Sequence, residues 1–132
     1  MLRILVVDDY DDARELFAEF LELSGYQVLL ARDGMEALEV AQREVPDVIL
    51  MDLSLPVMDG WEASLRLKED PRTHAVPIIA LSGLTLDCNS EAVRKSGCDA
   101  FLRKPVGFVE VEAKIREVLL GGEAGLRAAA SV

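Results

Sequence analysis

Five short apolar runs alternate along the chain with segments of helical period. The runs are Leu2–Val7, Tyr26–Leu30, Val48–Met51, Pro77–Leu81 and Ala100–Leu102. The first, third and fourth are near-continuous Ile, Leu and Val, the pattern of strands covered on both faces. The second is the most polar and reads as an edge strand. After the first run, Ala13, Leu16, Phe17, Phe20 and Leu21 fall on one helical face, and Gly25 is placed to end that helix. Asp33-Gly34-Met35-Glu36 and Asp59-Gly60-Trp61-Glu62 each open a helix, with Asp at the cap and Glu three residues later. The likeness of these two starts is shared capping chemistry, not an internal repeat. Ala37, Leu38 and Ala41 form the apolar face of the first of them. A short polar helix is expected over Glu91–Ser96, stopped by Gly97, and Phe108, Val111, Ile115, Val118 and Leu119 make the last helical face.

Strand and helix therefore alternate five times. That order predicts an α/β fold, a doubly wound five-stranded parallel sheet with right-handed crossovers and helices on both faces. The 132 residues fit one domain, since domains cluster at about 100–150 residues. A chain of this size holds a core without disulfide or metal staples. The domain is expected to span residues 1–120. Gly121–Val132 is rich in Gly and Ala, has no apolar period, and is expected to be a disordered tail that adds little to folding.

Composition narrows the function. Apolar residues make up 51% of the chain, which excludes an intrinsically disordered protein. No apolar run approaches the roughly 18 residues of a membrane span. Met1 to Val7 runs straight into Asp8 without the layout of a signal peptide, so a cytoplasmic location is expected. Lys and Arg number 14 against 24 Asp and Glu, a formal net charge of −10. No basic cluster is denser than Arg94-Lys95 or Arg103-Lys104, so neither direct nucleic-acid binding nor a membrane partner is expected. Cys88 and Cys98 form no disulfide framework or metal pattern and read as idle reduced thiols. His74, the single histidine, reads as a solvated loop residue, and Trp61, Met51 and Met58 as packing residues.

The candidate chemistry gathers where strands end. Asp8 and Asp9 follow the first run, Asp52 the third, Ser82 the fourth and Lys104 the fifth. In an open parallel sheet the carboxyl ends of neighbouring strands lie along one edge, which is where ligands bind. Three carboxylates there repel one another, and a hard divalent cation with oxygen ligands relieves this. An acidic edge with one lysine and one hydroxyl beside it suits phosphoryl handling, with a carboxylate as nucleophile. Each residue also has a structural alternative. Asp8-Asp9 could cap the first helix, Asp52 could cap a turn before Pro56, and Ser82-Gly83 and Lys104-Pro105 could be ordinary turns. The arrival of all five at strand ends favours the chemical reading.

From about Leu2 to Leu120 the chain resembles the receiver domain of two-component response regulators, of the stand-alone chemotaxis type. The motifs that carry the resemblance are Val6-Val7-Asp8-Asp9, Met51-Asp52-Leu53-Ser54-Leu55-Pro56-Val57-Met58-Asp59-Gly60, Ala80-Leu81-Ser82-Gly83 and Phe101-Leu102-Arg103-Lys104-Pro105. Their spacing over Asp52 to Gly60 is highly specific. The resemblance implies a flavodoxin-like (βα)5 fold with strand order 2-1-3-4-5. It implies Asp52 as phosphoacceptor, served by the phosphohistidine of a sensor histidine kinase or a histidine phosphotransfer protein. Asp9 matches a direct Mg2+ ligand, Asp8 one acting through water, and the Ser54 backbone carbonyl the remaining ligand. Ser82 matches the switch hydroxyl, Phe101 the switch aromatic and Lys104 the lysine paired with the phosphoryl group. Gly83 stands where Ala is usual, and Val106 where an aromatic is common. A downstream effector would read the face made by Glu91–Leu119, and the chain would be a monomer or a phosphorylation-dependent dimer.

Two other classes are weighed against this. A small Mg-dependent aspartyl-phosphate phosphatase of the haloacid type would place an acid/base Asp two residues after the nucleophile, where this chain has Ser54. A flavin-binding domain would need a Ser-, Thr- and Gly-rich loop after the first strand, where Asp8-Asp9-Tyr10-Asp11-Asp12 stands. The expected protein is therefore a switch rather than an enzyme with an external substrate, catalysing only its own phosphorylation and dephosphorylation.

Overall fold

The computed structural model describes residues 2–53, 60–82, 97–104 and 106–120. Expectations for the Ser54 carbonyl, the Asp59 cap, the Trp61 side chain, Gly83, Cys88, the Glu91–Ser96 helix, Pro105 and the Gly121–Val132 tail lie outside the described residues.

All five apolar runs form strands: β1 Arg3–Val7, β2 Gln27–Ala31, β3 Val48–Asp52, β4 Ile78–Ser82 and β5 Ala100–Arg103. Four helices are described between and after them: α1 Asp11–Leu23, α2 Gly34–Glu44, α3 Gly60–Glu69 and α4 Phe108–Leu119. The strands pair in parallel in the order β2-β1-β3-β4-β5. The sheet is therefore the doubly wound one the alternation predicts, with β2 at one edge and β5 at the other.

Side chains alternate faces along a strand, and here that alternation splits the core in two. Leu5, Val7, Ile49, Met51, Ile78 and Ala80 pack on one face with Ala37, Val40 and Ala41 of α2 and Ala63 and Leu67 of α3. Ile4, Val6, Val48, Leu50, Ile79 and Leu81 pack on the other with Phe17 and Leu21 of α1 and Val111, Ile115 and Val118 of α4. Every residue of β3 and β4 is buried, which is why those two runs carry no alternation in the sequence.

The ends of the helices follow their local chemistry. Gly25, at φ +97°, lets the last turn of α1 close: its N–H donates to the Glu22 carbonyl and that of Tyr26 to the Leu21 carbonyl. At the start of α2, Asp33 accepts the Glu36 N–H at 2.8 Å, while Glu36 accepts the Arg32 N–H at 2.9 Å. Helix α1 differs from the expectation at one position. Leu16 is 54% exposed, because the inner face of α1 is Arg14, Phe17, Ala18 and Leu21. Phe108 packs against that face, stacked on Phe20 at 4.6 Å and edge-on to Phe17 at 5.5 Å.

Candidate functional site: an acidic cluster at the carboxyl edge of the sheet

Strand register brings the predicted residues to one edge. Val7, the last residue of β1, pairs with Met51, so Asp8 and Asp52 leave the sheet side by side. Asp52 pairs with Leu81 and Ser82 with Arg103. The Lys104 N–H donates to the Ser82 carbonyl at 2.7 Å, which fixes the lysine just beyond the end of β4.

The side chains converge from those positions. Asp8, Asp9 and Asp52 each offer a carboxylate oxygen, and these three oxygens lie within 4.8 Å of one another. Lys104 Nζ is 3.2 Å from Asp52 Oδ2 and 3.9 Å from Asp8 Oδ2. Asp8, Asp52 and Ser82 are buried, whereas Asp9 is exposed. Capping is not the role of the acidic pair, because Tyr10 holds the N-cap position of α1 and has no side-chain cap bond. Phe101, paired with Ala80, is half-buried against the α2–α3 side of the core.

Asp8 is the electrostatically costly member. Its Oδ1 accepts the Tyr10 N–H at 2.9 Å, but its buried Oδ2 has no hydrogen-bond donor among the described residues. Burial pushes its carboxyl above the ordinary carboxylate range. The Tyr10 N–H and Lys104 oppose that shift, and the charges of Asp52 and Asp9 reinforce it. Three carboxylates face one ammonium. Such a set, oxygen-only and anionic with an unpartnered buried oxygen, fits a hard divalent cation of the Mg2+ class.

Sequence reasoning missed two contributors. Arg14, on the buried face of α1, donates Nη1 to the Asp8 backbone carbonyl at 2.9 Å and pairs through Nη2 with Asp11. Its position four residues before Ala18 and seven before Leu21 marks that inner face in the sequence. The Tyr10 N–H that holds Asp8 is a backbone group and leaves no residue-type signal.

Comparison with known proteins decides the family. The model of the response regulator receiver domain matches residues 4–116. The chain belongs to the response regulator receiver family. It is 36% identical over 110 residues to the polar-differentiation response regulator DivK of Brucella anthropi, covering 81% of this chain and 89% of that one. A CheY-like receiver domain protein from Methanospirillum hungatei is 30% identical, with a TM-score of 0.83, and the match covers 90% of this chain and 94% of that one. The receiver domain of a sensor histidine kinase from Pseudomonas aeruginosa is 32% identical with a TM-score of 0.82, covering 89% and 97%. That structure has a magnesium ion coordinated in its active-site cleft. Within this receiver, no described helix is long and apolar enough to cross a membrane.

Proposed function

We propose that this receiver is a phosphoacceptor switch in which Asp52 takes a phosphoryl group from the phosphohistidine of a sensor histidine kinase or a histidine phosphotransfer protein. The observation that carries the reading is Lys104 Nζ at 3.2 Å from Asp52 Oδ2, in a cluster whose three carboxylates lie within 4.8 Å. An Asp52 carboxylate oxygen attacks the phosphorus. The phosphorus–nitrogen bond breaks, its electron pair leaves on the donor imidazole, and an acyl phosphate forms. Lys104 stands beside the incoming oxygens and offsets their charge. Asp8, Asp9 and Asp52, with the Ser54 carbonyl, would hold Mg2+, which when bound neutralises charge on the equatorial phosphoryl oxygens. The signal is lost when water attacks the phosphorus, the bond from phosphorus to the Asp52 oxygen breaks, and inorganic phosphate leaves the restored carboxylate. No external substrate is turned over, and the setting is the cytoplasm.

Output follows from the added charge. A phosphoryl group brings about −1.5 to −2 charge and three acceptor oxygens. The Ser82 hydroxyl is drawn toward them. Because the Ser82 carbonyl accepts the Lys104 N–H, a shift at the end of β4 is passed to the end of β5. Phe101 then turns further inward, and the effector reads the altered Glu91–Leu119 face.

Incubation with a small phosphodonor and Mg2+ tests the chemistry. One acid-stable, base-labile phosphoryl group should appear and be abolished in Asp52→Asn. Equal labelling of that variant sinks the assignment. Amide shifts on adding beryllofluoride with Mg2+ should spread from Asp52 through Ser82 to Phe101. Shifts confined to the acidic cluster would leave an acceptor without an output.

A further inference from the structure

We propose that Arg14 is a positioning residue for the cation site: its guanidinium holds the β1–α1 turn so that Asp8 presents its free oxygen to Asp9 and Asp52. This rests on the acidic cluster binding a divalent cation, as proposed above.

Arg14 is 8% exposed and lies on the inner face of α1 beside Phe17, Ala18 and Leu21. An apolar side chain would suit that position better, because burying a guanidinium is costly unless its partners compensate. The partner carboxylate, on Asp11, is 74% exposed, and an ion pair whose anion stands in solvent returns little of that cost. The geometry suits another purpose. One prong, Nη1, donates to the Asp8 carbonyl at 2.9 Å, and the other, Nη2, reaches Asp11 on the far side of the turn. A guanidinium holds its two prongs in one rigid plane at a fixed spacing, whereas a lysine brings its donors to a single rotatable nitrogen. The Arg14 N–H also donates to the Tyr10 carbonyl at 3.0 Å. The Asp8 backbone is thus tied to α1, and the Tyr10 N–H fixes Oδ1 at 2.9 Å. Only Oδ2 remains, buried and without a donor among the described residues. Mutual repulsion would swing the three carboxylates apart, and Arg14 holds Asp8 against it.

The test is calorimetric titration of the full chain with MgCl2 alone, beside a thermal melt in EDTA. Removing an outer-shell partner of a metal ligand weakens binding by 10–100-fold, so Arg14→Met should lose about tenfold in Mg2+ affinity while still folding without metal. Arg14→Lys restores the charge but not the fork and should stay weak. Wild-type affinity in either folded variant overturns the inference. Should Arg14→Met fail to fold, two surface variants decide. Asp11→Ala removes the second anchor of the fork, and Asp12→Ala removes the same charge from a neighbour that is also exposed. Affinity must fall further in Asp11→Ala than in Asp12→Ala, and equal losses overturn the inference. A wild-type chain that takes up no Mg2+ would instead overturn the cation-site reading on which it rests.

Discussion

Two lysine–aspartate pairs sit at opposite ends of the sheet, and they are built to different standards. At the amino end, Lys68 Nζ donates to Asp99 Oδ2 at 2.8 Å, to the Val76 carbonyl at 2.9 Å and to the His74 carbonyl at 3.3 Å. Asp99 Oδ2 also accepts the Ile78 N–H at 2.8 Å, and the Asp99 N–H donates to the Ile78 carbonyl. All three ammonium protons have acceptors, and α3, β4 and β5 are tied together where the strands begin. At the carboxyl end, Lys104 faces three carboxylates, and Asp8 Oδ2 has no donor among the described residues. The satisfied pair stabilises the fold. The unsatisfied cluster is where the proposed cation and phosphoryl group would bind. Proteins break local rules of polar satisfaction at functional sites and compensate elsewhere, and in this receiver the two places lie at the two ends of the same strands.

The largest effect expected on this contrast comes from Gly97, which closes the amino end. It adopts φ +76°, and a Cβ there would lie 2.9 Å from Lys68 Cγ. Lys68 is held by three bonds and cannot easily step aside. Gly97→Ala should cost about 3 kcal/mol, combining roughly 1–2 for a left-handed residue with an overpacking term of roughly 1–3. Urea unfolding measures it. A loss under about 0.5 kcal/mol, the ordinary range of surface changes, would show the amino end to be loosely built.

A smaller loss is expected at Asp99. Asp99→Ala removes the shared acceptor of Lys68 and of the Ile78 N–H and should cost about 2 kcal/mol, the scale of a buried donor left unpaired. Asp99→Asn keeps an oxygen there and should cost less than half as much. Equal losses in the two variants would mean that charge, not hydrogen bonding, holds this end together.

How much of this contrast was legible in the sequence divides along the same line. The strands were legible because both faces of a parallel sheet are covered, so β1, β3 and β4 read as near-continuous apolar runs. The acidic cluster was legible because topology alone carries strand ends to one edge, whatever the side chains do there. The amino-end pair was not. Lys68 and Asp99 are 31 residues apart, and Lys68 sits in Lys68-Glu69-Asp70, which reads as a solvated helix end. Leu16 was misplaced for a related reason. Leu16-Phe17 and Phe20-Leu21 are adjacent apolar pairs, and a period of 3.6 cannot say which member of a pair faces inward.

The smallest effect is also the one with the opposite sign. Asp8→Asn removes a buried charge whose Oδ2 has no donor among the described residues, while an amide at the same place still accepts the Tyr10 N–H. Without divalent cation it should raise stability by about 1 kcal/mol, at the low end of the penalty for an unpaired buried polar group. Its pH dependence follows from the raised Asp8 carboxyl, lifted first by burial. A carboxyl with a higher pKa folded than unfolded binds more protons in the native state. Stability of the wild type therefore falls as pH rises from the ordinary carboxyl range through the raised value, relative to the variant. The advantage of Asp8→Asn should be full above that window and vanish below it. Saturating Mg2+ should reverse the order at neutral pH. A hundredfold excess over Kd stabilises the native state by about 2.7 kcal/mol, a gain the variant would largely lose. Thermal melts in EDTA and in MgCl2 across the acid range measure both effects. A variant less stable than wild type in EDTA at neutral pH would mean that the Asp8 charge is already satisfied within the protein, and the contrast between the two ends would fail.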